Sequence, residues 1–112
     1  MIEGDVILTP VPQADGQIKN RPAVILRVMP GFGDMLVCGI STQLQQEVVG
    51  FDEVVSSGDA DFAATGLRAT SLIRLGFLSI LPTNRIIGTI GSLSEARHRR
   101  LLQNLADYLL SE

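Results

Sequence analysis

Short apolar runs separated by turn-forming residues make up most of the chain. The pattern predicts strands over residues 6–8, 23–29, 35–40, 47–55, 71–81 and 85–91. Gly76, inside the strand over 71–81, predicts a bulge there. Residues 30–34 have the composition of a hairpin turn. Their glycines do not make a phosphate-binding loop, because no Gly-Lys-Ser/Thr motif and no helical pattern follow. The run 23–26 is apolar at every position, which predicts a strand that is buried on both faces.

The C-terminal segment changes to a helical period. Its apolar residues fall on one arc of a helix: Leu101, Leu102, Leu105, Tyr108 and Leu109. Ser92 and Glu95 have the spacing of a capping box, so the pattern predicts a helix over residues 93–110 with Ser92 as its N-cap. The arginines at positions 97, 99 and 100 lie largely off the apolar arc. The arc itself is interpreted as ordinary core packing.

Several short strands at close spacing, followed by one helix, define the expected fold class. We predict a mainly β fold with a C-terminal α-helix: a small antiparallel β-barrel, closed or nearly closed, with the helix packed on it. A chain of 112 residues fits one domain, residues 1–112, whose core needs neither a disulfide nor a metal ion.

Charge and composition narrow the classes of partner. A hydrophobic content of 46% and a charged content of 19% are not those of a disordered chain. A net charge of −3 is not that of an electrostatic binder of nucleic acid, so any RNA or DNA site must be a local cluster of cations. The first residues lack the pattern of a signal peptide, and no apolar run approaches the roughly 20 residues that cross a bilayer. We expect a cytoplasmic protein with no membrane partner.

The lone cysteine and the acidic residues give no reason to expect a metal ion or a cofactor. Cys38 cannot form an internal disulfide and lies in an apolar segment, so a reduced, buried thiol is expected. Asp59 and Asp61 have part of the spacing of a calcium loop, but no later residues complete it, and we interpret the segment as a solvated loop. His98 is expected to be a packed or rim histidine, since no Ser, Cys or acidic partner is identifiable beside it.

Arg21 is the candidate for anion binding. It follows Lys19 and Asn20 just before the apolar run, and Pro22 pushes it into an extended conformation. A guanidinium that projects from the rigid mouth of a strand is well placed to bind an anion. The alternative, a surface arginine in a salt bridge, is left open by these residues alone.

Four segments, in order along nearly the whole chain, carry a family pattern. Residues 4–8 (Gly-Asp-Val-Ile-Leu), 21–26 (Arg-Pro-Ala-Val-Ile-Leu) and 40–43 (Ile-Ser-Thr-Gln) are three of them. The fourth is Leu-Ile-Arg at 72–74, followed by residues 90–94 and the terminal helix. Together they resemble the MazF/PemK family of toxin endoribonucleases. The resemblance implies an SH3-like β-barrel, a homodimer, metal-independent and sequence-specific cleavage of single-stranded RNA, and inhibition by a cognate antitoxin.

The resemblance also implies roles for individual residues. By position, Arg21 matches the family's catalytic arginine, Ser41 its catalytic Thr/Ser, and Arg74 an arginine that some members use near the scissile phosphate. The expected RNA-binding set is Lys19, Asn20, Thr42, Gln43 and Arg74. Residues 75–77, Leu-Gly-Phe, stand where some members have an Asp-Gln pair. Aromatic content is only 4%, although single-stranded RNA binders commonly stack bases on aromatic side chains.

The chemistry agrees with these roles. Attack of RNA's own 2′-OH on phosphorus needs the phosphate held, its charge neutralised and protons moved. Arg21 suits charge stabilisation and acid donation, and Ser41 can donate a hydrogen bond to a phosphate oxygen or to the 2′-OH. A guanidinium stays protonated and is a poor base, so the general base is left unassigned. Two alternatives stay open: a catalytically weak member that binds nucleic acid or protein, and a structural barrel whose apolar face serves oligomerisation.

Overall fold

The computed structural model describes residues 2–12 and 14–112. Met1 and Gln13 lie outside the described residues. Six strands and one helix follow along the chain: β1 (Asp5–Pro12), β2 (Ile18–Val28), β3 (Met35–Ser41), β4 (Glu53–Val55), β5 (Ser71–Leu81), β6 (Gly88–Ser92) and α1 (Glu95–Leu110). The strands form one sheet in the spatial order β4-β5-β3-β2-β1-β6. All neighbouring strands are antiparallel.

The prediction of a mainly β fold with one C-terminal helix is confirmed. The sheet curls into a half-barrel whose edge strands are β4 and β6. Among residues 2–12 and 14–112, no ladder of hydrogen bonds joins these two edges. The barrel is therefore open, and α1 covers the face on which the main core lies.

The central part of β2, residues 23–26, is buried on both faces, as predicted. Val24 and Leu26 point into the main core between the sheet and α1, whereas Ala23 and Ile25 point into a smaller second core on the opposite face. The other fully buried members of the second core are Ile7, Met35 and Val37. Residues 23–26 of β2 are each at most 3% exposed. Burying one large aliphatic side chain contributes about 1.5–3 kcal/mol, so β2 supports both cores.

β1 and β2 are longer than predicted. β1 continues through both of its prolines, and β2 begins at Ile18, so the two strands pair from Val6–Val24 to Pro12–Ile18. β6 pairs with β1 only as far as Leu8. The second half of β1 is therefore an edge, where proline is tolerated because no ladder hydrogen bond is lost on the open side.

The predicted strand over residues 47–55 was wrong, since only Glu53–Val55 forms β4. The preceding segment consists of turns because the carboxylate of Asp52 accepts a hydrogen bond from the backbone N–H of Val48 at 2.9 Å. The last strand is also shorter than predicted, because Thr83–Arg85 forms a 3₁₀ turn before β6.

β5 contains a bulge at the position that the sequence predicted. Cys38 of β3 pairs with Leu78, but the next residue, Gly39, pairs with Arg74. Residues 75–77 therefore have no counterpart on β3, and Gly76 lies at their centre. Bulges of this kind bend a strand and change the direction of its side chains.

The first residue of the bulge is held from two sides. Leu75 is fully buried in the main core, and its N–H donates a hydrogen bond to the carboxylate of Asp52 at 3.0 Å. Asp52 is itself buried, so this bond satisfies a donor at a point where the ladder is interrupted. Asp52 thereby joins the loop before β4 to the bulge in β5.

α1 begins at Glu95, and the predicted capping box was wrong. Ser94 is the N-cap, and its Oγ accepts a hydrogen bond from the backbone N–H of Arg97 at 3.2 Å. Ser92, the predicted cap, is the last residue of β6 and pairs with Asp5. Strand pairing thus takes precedence over a local capping pattern.

Only the first half of the apolar arc on α1 belongs to the core. Leu101 and Leu105 are buried and Leu102 is half-buried, whereas Tyr108 and Leu109 are exposed. The last turns of the helix extend beyond the main core. The interpretation of the whole arc as core packing was therefore wrong for its C-terminal part.

Arg97 lies in the interior, although the helical pattern placed it off the apolar arc. It is only 7% exposed, and its guanidinium binds Glu53 at 3.0 Å, Asp59 at 3.0 Å and Asp61 at 2.8 Å. These four residues are called the Arg97 cluster below. The segment with Asp59 and Asp61 is a loop, as predicted, but it is only partly solvated, because both carboxylates hold it to the first turn of α1.

Hydrogen bonding within the Arg97 cluster shifts the titration of both partners. The bond from Arg97 lowers the pKa of Asp61 to about 2, and the same bond raises the pKa of Arg97. Both shifts favour the charged forms. A carboxyl group whose pKa is lowered by folding stabilises the folded state. This contribution is complete at pH values above the unfolded-state pKa of about 4, and it is lost as the pH falls towards 2.

Cys38 and His98 have the structural roles that we expected. Cys38 is fully buried, and burial, assisted by the carboxylate of Asp52, raises the pKa of its thiol to about 12. A thiol of this kind stays neutral and unreactive. His98 is half-buried, and its Nε2 lies 2.9 Å from the carbonyl oxygen of Leu26.

Replacing Arg97 with alanine is expected to lower the free energy of unfolding by about 3 kcal/mol or more, because three carboxylates lose their shared cation. Arg100→Ala is the matched control: its side chain is 54% exposed and binds Glu53 at 3.0 Å, so it should cost less than about 1 kcal/mol. Urea unfolding followed by circular dichroism measures both variants. Equal losses would contradict the role given to the Arg97 cluster.

Candidate functional site

A cleft of about 570 Å³ opens beside the second core. Its walls include the ends of the apolar strands, at Ala23, Val37 and Leu81. Its polar and aromatic lining residues are Thr9, Arg21, Ser41, Thr42, Gln43, Arg74, Phe77 and Ser79. The structure thus brings Arg21, Ser41 and Arg74, the three residues matched to the family by position, into one cavity.

Strand register explains how these residues meet. Thr9 pairs with Arg21 across β1 and β2, and Gly39 pairs with Arg74 across β3 and β5. Residues directly opposite each other in antiparallel strands face the same side of the sheet. The last pair between β2 and β3 is Ala23 with Gly39, and continuing that register by two residues brings Arg21 opposite Ser41.

Arg21 lies within β2 rather than at its mouth, because the strand already begins at Ile18. Arg21 is exposed, and it lines the cleft at the point where the apolar run ends. Pro22, which follows it, pairs with Leu8 and is also part of the cleft wall. The guanidinium is therefore carried by a paired strand, which limits its motion to the side chain.

Ser41 ends β3 in a compact turn. Its Oγ accepts a hydrogen bond from the backbone N–H of Gln43 at 3.0 Å, which orients the hydroxyl and leaves its proton for donation. The side-chain oxygen of Gln43 accepts a hydrogen bond from Gln45 at 2.8 Å. Thr42 and Gln43 are exposed at the rim of the cleft.

Lys19 and Asn20 do not line the cleft. Lys19 is exposed, pairs with Val11, and shares a face of β2 with Arg21 because side chains alternate along a strand. Asn20 pairs with Pro10 and points to the opposite face. Of the predicted RNA-binding residues, Thr42, Gln43 and Arg74 therefore surround the cleft, Lys19 lies along one of its strands, and Asn20 faces away.

Three of the polar and aromatic lining residues, Thr9, Phe77 and Ser79, were not predicted from the sequence. Thr9 lies opposite Arg21 and donates a hydrogen bond to the carbonyl oxygen of Arg85 at 3.2 Å. Phe77 lies in the β5 bulge, and the guanidinium carbon of Arg74 is 5.8 Å from the centre of its ring. The predicted bulge at Gly76 was a signal for Phe77, since it implied an irregular side-chain direction there.

The cleft is cationic although the chain is acidic overall. It contains Arg21 and Arg74, and none of its described lining residues is Asp, Glu or His. Acidic side chains are instead drawn together in the Arg97 cluster. Within the described ranges, no group of three or more His, Cys, Asp or Glu side chains is placed to hold a metal ion. The local cluster of cations that any nucleic-acid site requires is thus present.

Structural comparison places the chain among known folds. It is similar to the Mycobacterium tuberculosis toxin MazF-mt6, with a TM-score of 0.68, 20% identity, and coverage of 96% of this chain and 98% of that one. It is also similar to an endoribonuclease in complex with its cognate antitoxin from a mycobacterial species, with a TM-score of 0.71, 14% identity, and coverage of 100% and 98%. At these identities the likeness concerns the fold.

Three further findings concern the helix of the structure and the sequence as a whole. Curated proteins give no significant match to this sequence. In the part of the chain that the structure describes, no helix is long and apolar enough to cross a membrane. The family model for PemK-like, MazF-like toxins of type II toxin-antitoxin systems matches residues 2–109, almost the full length. The chain therefore belongs to the family of PemK-like, MazF-like toxins of type II toxin-antitoxin systems.

Proposed function

We propose that this protein is a metal-independent, sequence-specific endoribonuclease that cleaves single-stranded RNA, acting as the toxin of a toxin-antitoxin pair. The observation that carries the proposal is the meeting of Arg21, Ser41 and Arg74, from three different strands, in one cationic cleft. Membership of the toxin family supports it, because MazF-like toxins are in general endoribonucleases.

The proposed reaction uses the RNA's own 2′-OH as the nucleophile. The 2′ oxygen bonds to phosphorus, and the bond from phosphorus to the 5′ oxygen of the next nucleotide breaks. The 2′ proton passes to a base and the 5′ oxygen gains a proton, so the products are a 2′,3′-cyclic phosphate and a 5′-hydroxyl. Since negative charge grows on the phosphate oxygens, a cleft of fixed hydrogen-bond donors can supply most of the catalysis.

Each side chain of the cleft has a proposed catalytic role that follows from its chemistry. The planar fork of Arg21 can bind two phosphate oxygens at once, and it can also deliver a proton towards the leaving oxygen. Arg74 adds a second positive charge from β5, which is separated from β2 by β3. Ser41, oriented by its turn, donates one hydrogen bond to a phosphate oxygen or to the 2′-OH.

Residues around the cleft are proposed to bind the flanking nucleotides. Thr42 and Gln43 present hydrogen-bonding groups at the rim, and Lys19 extends the cationic face of β2 beyond Arg21. Asn20, on the opposite face of β2, remains a predicted contact for RNA that leaves the cleft around the hairpin.

A cognate antitoxin is the proposed protein partner. One structural neighbour is a complex of an endoribonuclease with its cognate antitoxin. A cleft that contains two arginines and no described carboxylate suits an acidic, partly disordered partner segment. A short neighbouring reading frame that encodes such a partner would support this assignment.

Arg21→Ala is expected to lower the cleavage rate on a defined RNA by about 10²–10³, because a donor to developing charge is lost. Ser41→Ala should lower it less, since water can replace one hydroxyl donor. Arg21→Lys should recover only part of the rate, because a point charge lacks the two-pronged contact. Mapping of 5′ ends and single-turnover kinetics on one long RNA give the measurements.

Arg27→Ala is the matched control for Arg21→Ala. Arg27 is an exposed arginine on the same strand, binds Glu3 at 3.5 Å and does not line the cleft. It should keep the wild-type rate, and circular dichroism should show the native fold in every variant. A wild-type rate in folded Arg21→Ala would mean that the active site lies elsewhere.

Cleavage is expected to continue in EDTA. The proposed chemistry relies on arginine and serine donors, and the described residues offer no cluster for a metal ion. The test compares initial rates with and without chelator, and then with added Mg²⁺, at constant ionic strength. Loss of activity in EDTA that a divalent ion restores would refute the metal-independent mechanism.

A homodimer is the proposed state in solution. Beyond Ile73, β5 has no partner on the side of β4 among the described residues, and its exposed residues there include Leu78 and Ile80. Exposed apolar strands of this kind favour association. A two-fold interface would also bring two cationic clefts together. Light scattering at micromolar concentration should give the dimer mass, and a monomer mass would reject the proposal.

A further inference from the structure

Phe77 is the aromatic side chain of the cleft. The residue is 52% exposed, which is high for a phenylalanine in a strand. The other aromatic residues are placed elsewhere: Phe51 and Phe62 pack against the main core, Tyr108 lies near the end of α1, and Phe32 lies in the β2–β3 turn. An exposed aromatic ring in a cleft that two arginines line needs an explanation other than core packing.

The bulge delivers this ring to the cleft. Leu78 resumes pairing with Cys38, so Phe77 is the last of the three residues that β3 does not match. The first of them, Leu75, is anchored in the main core and by the carboxylate of Asp52. A fixed start and a fixed end leave the bulge little freedom, so the position of Phe77 is set by the fold.

Gly39 makes room for the ring. A Cβ atom at position 39 would lie 2.8 Å from Cδ1 of Phe77, and 3.5 and 3.6 Å from its two ring neighbours. These distances correspond to an approach along the ring edge, because contact with a ring face would make the three distances more nearly equal. The ring is therefore seated by its edge on the glycine, and its faces are not used by this contact.

Arg74 lies on one side of the same ring. Its guanidinium carbon is 5.8 Å from the ring centre, within the range of a cation–π contact. Arg74 pairs with Gly39, so cation, glycine and ring form one unit on the wall of the cleft. A nucleotide whose base lies on Phe77 would have its phosphate close to this guanidinium.

We propose that Phe77 is a base-stacking residue that binds an unpaired nucleobase next to the phosphate held by Arg21 and Arg74. This inference rests on the proposed nuclease function and deepens it, because it names the chemical group that the cleft selects. Every base has a flat π face, but a base within a duplex has both faces covered by its neighbours. Stacking on Phe77 therefore favours single-stranded RNA, in a protein with few aromatic residues.

The first experiment compares cleavage kinetics of four proteins on one RNA. Phe77→Leu keeps an apolar side chain of similar reach but removes the flat ring, and should lower kcat/KM by roughly tenfold, mainly through a higher KM. Phe77→Trp retains a flat ring and should stay within about threefold of wild type. Phe32→Leu changes a phenylalanine that is 98% exposed outside the cleft and should have no effect.

The second experiment detects stacking without cleavage. A single-stranded RNA with 2′-O-methyl groups cannot provide the attacking 2′-OH, and 2-aminopurine is placed in it at one position after another. Wild type and Phe77→Trp should quench the 2-aminopurine fluorescence at one position, and Phe77→Leu should not. A purely structural role of Phe77 would leave this quenching unchanged.

The outcomes separate the two proposals. If wild type cleaves RNA and Phe77→Leu shows the same kinetics and the same quenching, the stacking role is overturned and the proposed nuclease function stands. Binding and quenching by a wild type that does not cleave RNA would overturn the nuclease and keep the stacking role. Phe77→Leu and Phe77→Trp could also lose kcat/KM and quenching equally, with a changed mass in light scattering. That result would show that Phe77 contacts another protein chain, which also overturns the stacking role.

Discussion

The structure depends on the burial of β2 on both of its faces. Residues 23–26 are apolar at every position, so the sheet needs cover on both sides. The helix supplies it on one side, and the curl of the sheet supplies it on the other. The second core is the smaller of the two, and Ala23 and Val37 belong both to it and to the wall of the cleft. The candidate site is thus the place where the second core ends and Arg21 begins the polar part of the strand.

The distribution of charge follows from a second buried group, Arg97. It draws Glu53, Asp59 and Asp61 to the first turn of the helix, away from the cleft. The chain has a net charge of −3, yet the described lining of the cleft carries only positive charge. An ion-pair cluster that serves stability therefore also removes acidic residues from the neighbourhood of an anionic substrate. This separation allows an acidic protein to present a cationic site.

The bulge in β5 links stability to the site in a similar way. The buried carboxylate of Asp52 and the side chain of Leu75 hold its first residue, and renewed pairing at Leu78 holds its end. Between these points the strand can turn Phe77 into the cleft beside Arg74. The irregular part of the strand is thus supported by the core at its start and by strand pairing at its end, and it carries an exposed aromatic ring between them.

Local pattern alone determined much of this protein. The apolar runs predicted β3 and β5 to within one residue and the apolar parts of β1 and β2. The helical period predicted α1, and the apolar surroundings of Cys38 predicted a buried thiol. Arg21 was also singled out because it stands where polar residues meet an apolar run, whereas Ser41 was singled out by its match to the family pattern. These features depend on neighbours within a few positions, and so a sequence pattern can predict them.

Tertiary structure decided the features that depend on distant residues or on register. Asp61 and Arg97 are 36 residues apart, and nothing local to either indicated that they bind each other. Ser92 belongs to β6 because it pairs with Asp5, and Ser94 is therefore the N-cap of the helix. Register placed Arg21 in the cleft and Asn20 on the opposite face, because neighbouring side chains of a strand alternate. Which side chains share a cavity is set by strand pairing across the sheet, and a linear pattern does not contain that information.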